Sequence, residues 1–168
     1  MQRLILTCGV PGAGKSTWAH VYAEQDFGNR IVVSRDSIRF AMVSEDEEYF
    51  SKEKAVFREF VAQIKEGLRR EYDVIADATH LNPTSRLKLI RALNLPYSVN
   101  VEVAVIMSDL DTCLKQNELR KGTRSYVPEG VIRNMHDTFV TPEYDEIPQG
   151  YDVIHFIYPR EKEEENNG

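Results

Sequence analysis

"LTCGVPGAGKSTWA" (residues 6–19) decides the fold. An apolar run stops at three glycines, a lysine and two hydroxyl residues. Inside it, Gly9-Val10-Pro11-Gly12-Ala13-Gly14-Lys15-Ser16 fits the spacing G-x-x-x-x-G-K-[ST] of a phosphate-binding P-loop. The apolar residues before it (3–8) read as a buried strand, and the residues after it (15–24) as a helix. That context gives the glycines a purpose. Without a Cβ, consecutive backbone N–H groups can turn inward and approach one anion closely. The helix N-terminus adds unpaired donors and a partial positive charge. Gly9, Pro11, Gly12, Ala13, Gly14, Lys15, Ser16 and Thr17 are therefore the candidate ATP-binding residues. Lys15 would reach the β- and γ-phosphates, and Ser16 would ligate Mg²⁺. Trp18 reads as a packing residue.

Outward from this loop, apolar runs alternate with helical patterns. "RIVVS" (30–34) predicts a second strand, with a helix starting near Asp36 and an acidic loop, "SEDEE" (44–48), after it. Val56, Phe57, Phe60, Val61, Ile64 and Leu68 recur at three- and four-residue spacing, which predicts a long helix. "YDVIAD" (72–77) reads as a third strand, and Asn82-Pro83 as the cap and first-turn proline of a helix to about residue 93. Residues 99–106 read as a strand and 109–120 as a helix. A further helix runs from Pro128 to about residue 139, and residues 152–158 read as a last strand. Strands separated by helices imply a mostly parallel sheet covered by helices on both faces. The strand order stays open.

The net charge of −6 argues against a wide basic surface of the kind that coats duplex DNA, but leaves room for a narrow site gripping one strand end. No apolar run approaches a membrane span, and no signal-peptide pattern follows the N-terminus. The two cysteines, Cys8 and Cys113, make no disulfide framework, which predicts a cytoplasmic protein. One domain is expected over residues 1–160, followed by an acidic, disordered tail over 161–168.

A phosphate donor needs an acceptor. "VVSRDSIR" (32–39) places Asp36 at a helix start and Arg39 one turn along on nearly the same face. A carboxylate there can take a proton from an attacking hydroxyl, and a guanidinium beside it can hold an anionic part of the acceptor. Asp77 ends the third strand, where an acidic residue can bond Ser16 or a water on the metal. Thr79 and Asn82 either line the acceptor side or shape the turn, and His80 reads as a loop histidine of no special role. "NELRKGTRSYVP" (117–128) carries Arg120, Lys121 and Arg124 around a glycine, with Lys115 nearby. A basic segment of this kind can close over a triphosphate as a lid, with Arg120 and Arg124 on the phosphates and Arg120 foremost.

The ordered set "ILTCGVPGAGKSTWA", "SRDSIR", "DATHLNPTSRLKLI" and "RKGTRSYVPEGVIRNM" resembles the kinase domain of the phage polynucleotide 5′-hydroxyl kinases over nearly the whole chain. The resemblance implies a three-layer P-loop NTPase-type kinase fold with a basic lid. It implies transfer of the γ-phosphate of ATP, with Mg²⁺, to the 5′-hydroxyl of single-stranded or nicked DNA or RNA. In that frame Asp36 is general base, and Lys15 and Arg120 complete the catalytic set. Arg39, Thr79, Asn82 and Val127 meet the acceptor, with Val127 near the terminal base. Asp77 supports the metal and the loop. Gln116 stands where the family pattern carries an arginine four residues before the lid arginine. A fused phosphatase domain is not expected. The alternative is a P-loop kinase of a small-molecule hydroxyl: a nucleoside, a sugar or an antibiotic.

Overall fold

Successive residues of a strand point to opposite faces, and in the opening strand both faces are apolar. The computed structural model describes residues 1–159; the expected tail, 161–168, lies outside the described residues. In β1 (Gln2–Cys8), Leu4, Leu6 and Cys8 enter one buried cluster and Ile5 enters another on the opposite face. A strand buried on both sides belongs in the middle of a parallel sheet. The elements that follow are α1 (Lys15–Glu24), β2 (Arg30–Ser34), α2 (Arg35–Met42), α3 (Glu53–Arg69) and β3 (Asp73–Asp77). Then come α4 (Pro83–Leu93), β4 (Val99–Ile106), α5 (Leu110–Glu118), α6 (Glu129–Thr138) and β5 (Val153–Ile157).

The described strands form one parallel sheet in the order β2-β3-β1-β4-β5. One face is covered by α2, α3 and α4 through Ile38, Val56, Phe60, Ile64, Leu89, Ile90 and Leu93. The other is covered by α1, α5 and α6 through Ala19, Cys113 and Ile132. This is the three-layer fold expected. Among the described residues no helix is long and apolar enough to cross a membrane.

The order has a consequence for chemistry. β1 sits between β3 and β4, so its loop opens at the centre of the carboxyl edge, where ligands bind in open α/β sheets. Ser34 of β2 lies in register with Asp77 of β3, which brings the start of α2 beside the end of β3. A buried ion pair fixes the connection after β3. Arg86 on α4 is fully buried and binds Glu146 at 2.6 and 3.1 Å, His80 O at 2.7 Å and Val140 O at 2.9 Å. The Tyr151 hydroxyl donates to the same Glu146 carboxylate at 2.6 Å. With every polar end satisfied, losing one partner would strand a buried charge, a penalty of roughly 3–5 kcal/mol.

Candidate active site

The donor half is made mostly of backbone. Gly14 caps α1 in the left-handed conformation, φ 100°, with no side chain bonded to the helix end and no acid in the first turn. The first N–H groups of α1 are thus left for an anion. Gly12 has φ 83°, and a Cβ there would lie 2.5 Å from the Cys113 carbonyl oxygen, so the loop rests directly on α5. Gly9 N donates to Thr79 O at 3.0 Å, and Lys15 Nζ folds back onto Val10 O at 3.0 Å. Pro11 is half-buried, Ala13 is buried, and Ser16 and Thr17 are exposed at the mouth.

Beneath the loop, Ser16 Oγ donates to Asp77 Oδ2 at 2.7 Å and Thr7 Oγ1 to Asp77 Oδ1 at 3.2 Å. The pairing expected of Asp77 with Ser16 is therefore present. Burial pushes the Lys15 ammonium below the usual lysine range, Asp77 and Asp36 pull it back up, and Arg120 lowers it further. Charges from β3, α2 and the segment after α5 thus converge on one ammonium. Among the described residues no cluster of three or more His, Cys, Asp or Glu could hold a metal ion. Ser16 and the adjacent Asp77 are the oxygens offered, which suits Mg²⁺ completing its shell with phosphate and water.

His80 lies in the loop expected, but it is not exposed there. It is buried, in a left-handed conformation (φ 41°), with Nδ1 2.7 Å from Thr7 O under the loop. Burial pushes its pKa down to about 4; the bond to Thr7 opposes this, while Arg35, Arg86 and Lys15 add to it. Its Nε2 is buried without a partner. Asn82 caps α4, accepting from Ser85 N at 2.9 Å in a capping box, so it shapes the turn. Trp18 stacks on Tyr22 at 5.0 Å, as a packing residue does.

The candidate acceptor half is made of side chains. Ser34, not Asp36, caps α2, accepting from Ser37 N; Asp36 lies in the first turn. Asp36 and Arg39 do meet: Arg39 Nη1 donates to Asp36 Oδ1 at 2.5 Å. Arg39 is nearly buried, 8% exposed at its side chain against 66% for Asp36. Its Nε and Nη2 grip Glu53 at 2.5 and 3.0 Å, and Tyr49 Oη lies 3.2 Å from both Arg39 Nη1 and Asp36 Oδ1. Burial opposes the Arg39 charge, but Glu53, Tyr49 and Asp36 together more than offset it and hold the guanidinium firmly protonated. Asp36 Oδ2 makes no hydrogen bond among the described residues, and it belongs to the exposed side of the cluster.

The segment between α5 and α6 holds its residues differently from expectation. Arg124 does not turn to the loop: its guanidinium donates to Phe40 O at 2.9 Å and to Val43 O, and lies 4.9 Å over the Phe40 ring. The unpaired carbonyls at the end of α2 draw it there. Val127 is half-buried against the core beside α5 and α6, and both its backbone groups bond Asn117, at 2.7 and 3.0 Å. Its side chain thus packs inward instead of standing free for a base. Lys121 sits near Glu118 at 3.9 Å, while Arg120 is the cation of this segment that lowers the Lys15 pKa.

Glu53, Tyr49, Asn117 and Arg86 are absent from the sequence reading. Each acts on a partner between ten and sixty positions away, too far for a helical or strand spacing to pair them. For Glu53 the only trace was an acid opening a helix, which a favourable helix dipole explains equally well.

The P-loop on the central strand, the Ser16–Asp77 pair and the strand order define a P-loop nucleotide-binding domain of the kinase-type fold. The chain belongs to the AAA domain family, which it matches over residues 4–142. It is 30% identical over 148 residues to an L-seryl-tRNA(Sec) kinase of Methanococcus maripaludis, covering 83% of this chain and 53% of that protein. The chain thus spans about half the length of that curated relative. Its fold is similar to a chain of the Pnkp1/Rnl/Hen1 RNA repair complex, with a TM-score of 0.68, 21% identity, and 82% of this chain and 43% of that one covered. A fungal RNA kinase also gives 0.68, at 11% identity over 99% of this chain and 78% of its own. A gluconokinase of Sinorhizobium meliloti gives 0.55, at 16% identity over 92% and 81%. At these identities the structures share the fold.

Proposed function

We propose that the chain transfers the γ-phosphoryl group of ATP to the 5′-hydroxyl end of DNA or RNA. One observation carries the reading: Ser34, two residues before the exposed and Arg39-anchored Asp36, lies in register with Asp77, which bonds the P-loop Ser16. This placement supports a carboxylate and a phosphate grip that serve the same cleft. A relative named for a seryl group on tRNA and a fold shared with an RNA kinase support an acceptor carried on nucleic acid.

The residues fit ATP with Mg²⁺: open N–H groups at α1, a backbone loop shaped by glycine, and Ser16 beside Asp77. When bound, Mg²⁺ neutralises charge on the phosphate oxygens. Asp36 takes the proton of the acceptor hydroxyl through its free Oδ2. The acceptor oxygen bonds the γ-phosphorus as the bond to the β-phosphate oxygen breaks, leaving ADP. Lys15 and Arg120 face the charge that spreads over the transferring group, where preorganised cations are most effective. Arg39, held in place by Glu53, orients Asp36 and presents its remaining surface to the strand end.

The near-complete occupation of Arg39 by Glu53 and Asp36 favours a second reading, a kinase of an uncharged small-molecule hydroxyl. Incubation with γ-labelled ATP, Mg²⁺ and separate pools of 5′-OH DNA, 5′-OH RNA, nucleosides and sugars decides between them. Label at polynucleotide 5′ ends is expected. Label only in a small-molecule pool would establish the second reading, and ATP consumption indifferent to every acceptor would remove both.

A further inference from the structure

The geometry points to a binding track for the nucleic-acid strand behind the reacting end, in the groove between α3 and α4. The groove has a volume of about 410 Å³ and is lined by Arg35, Glu53, Lys54, Phe57, Arg58 and Lys88. Its single carboxylate is already committed, since Glu53 bonds Arg35 and Arg39. Among the described residues Lys54, Arg58 and Lys88 have no carboxylate within 4.0 Å. Lys52, Arg69, Arg70 and Arg133 pair with acids of their own neighbourhood, and exposed cations left unpaired among the described residues, such as Lys65, Arg91 and Lys115, do not line this groove. In a chain of net charge −6, a local run of unpaired cations marks where an anion belongs.

Two further features fit a polynucleotide. Phe57 supplies an aromatic floor, with Lys88 Nζ 4.6 Å and the Arg35 guanidinium 5.4 Å from its ring centre. Flat apolar surface flanked by cations is how single strands are held without regard to sequence. Arg35 Nε is also buried with no partner, a donor left over beside the groove. Continuity with the acceptor site decides the occupant. Arg35 adjoins Asp36, and Glu53 bridges Arg35 to the Arg39 that bonds Asp36. From Glu53 to Arg58 the helix rises about 7.5 Å, so the track leads away from the candidate base along α3. A strand with its terminal hydroxyl at Asp36 would lay its following phosphates on Lys54, Arg58 and Lys88.

The track rests on the reading of Asp36 as the acceptor end, but its binding can be measured without transfer. The probe is a 3′-fluorescein-labelled 5′-OH single strand of about twelve nucleotides, followed by anisotropy across a salt series. The combined variant Lys54→Ala, Arg58→Ala, Lys88→Ala is compared with wild type, with thermal melting as the check on folding. Binding should weaken at least about tenfold, and the slope of log K against log salt should fall by about 2 for three lost phosphate contacts. KM for the oligonucleotide should rise, while KM for ATP and for a nucleoside 3′-monophosphate stays put. Unchanged affinity and slope in a folded variant overturn the track, even if transfer to 5′ ends proceeds. Weakened binding with no transfer by wild type upholds the track and removes the kinase reading instead. Polyglutamate competing for the site better than the oligonucleotide would also overturn it, in favour of an acidic protein.

Discussion

The two halves of the cleft are built by different means. The candidate donor half is mostly backbone: glycines at φ 83° and 100°, open helix N–H groups, and a hydroxyl–carboxylate pair joining α1 to β3. The acceptor half is side chain: an exposed carboxylate, a nearly buried arginine, and the Glu53 and Tyr49 that hold them. A backbone cradle is fixed once the fold forms, because its donors cannot rotate away. A side-chain cluster depends on every partner, since removing one strands the charge of another. Losses on the donor side should therefore follow the chemistry, and losses on the acceptor side should spread through the network.

Apart from the candidate base Asp36, the largest effect expected is on the donor side. Lys15→Met should lower kcat by roughly 10²–10³-fold, the scale of one lost charge stabiliser, with oligonucleotide binding intact. A parallel loss of acceptor affinity would blur the division between the halves.

His80 tests the floor under the loop. Its folded pKa of about 4 lies below the ordinary 6.5, so the unfolded chain binds the proton first. Stability is whole above pH 6.5 and declines as pH falls toward 4, by up to about 3 kcal/mol. His80→Asn, which tolerates the left-handed backbone, should flatten the denaturation midpoint across that window. An equally steep profile in the variant would place the pH dependence elsewhere.

Glu53→Gln touches only the acceptor side. It should raise KM for a 5′-OH oligonucleotide about tenfold, the worth of one charge-assisted bond, and leave KM for ATP alone. Smallest is Arg124→Ala. By releasing the end of α2 from the segment after α5, it should change kcat/KM by only a few-fold, about 1 kcal/mol. Limited proteolysis beside Lys121 should quicken in step. A loss as large as that of Lys15→Met would return Arg124 to the phosphates.

The same division explains what the sequence disclosed. The P-loop, Asp77 and the cap at Asn82 were legible because each follows from a local spacing that the strand and helix pattern enforces. Element bounds were legible for the same reason; α4 starts at Pro83 and β4 ends at Ile106, where the pattern changes. Strand order was not, because a parallel crossover leaves no mark on the residues it skips. Nor was Glu53, whose partner lies fourteen residues back, nor the turning of Arg124 toward α2, eighty-odd residues away. His80 is the loop residue it was read as, but its burial was not legible because it comes from Phe60 and Thr7, neither of them near it in the chain.

The central claim is that Asp36 takes the proton of the incoming hydroxyl at a phosphate held by the loop. Single-turnover transfer from γ-labelled ATP to a 5′-OH strand, measured alongside ATP affinity, tests it in the variant Asp36→Asn. The expected result is a fall in the transfer rate of about 10²–10⁴-fold with ATP affinity unchanged. An unaltered transfer rate would contradict it.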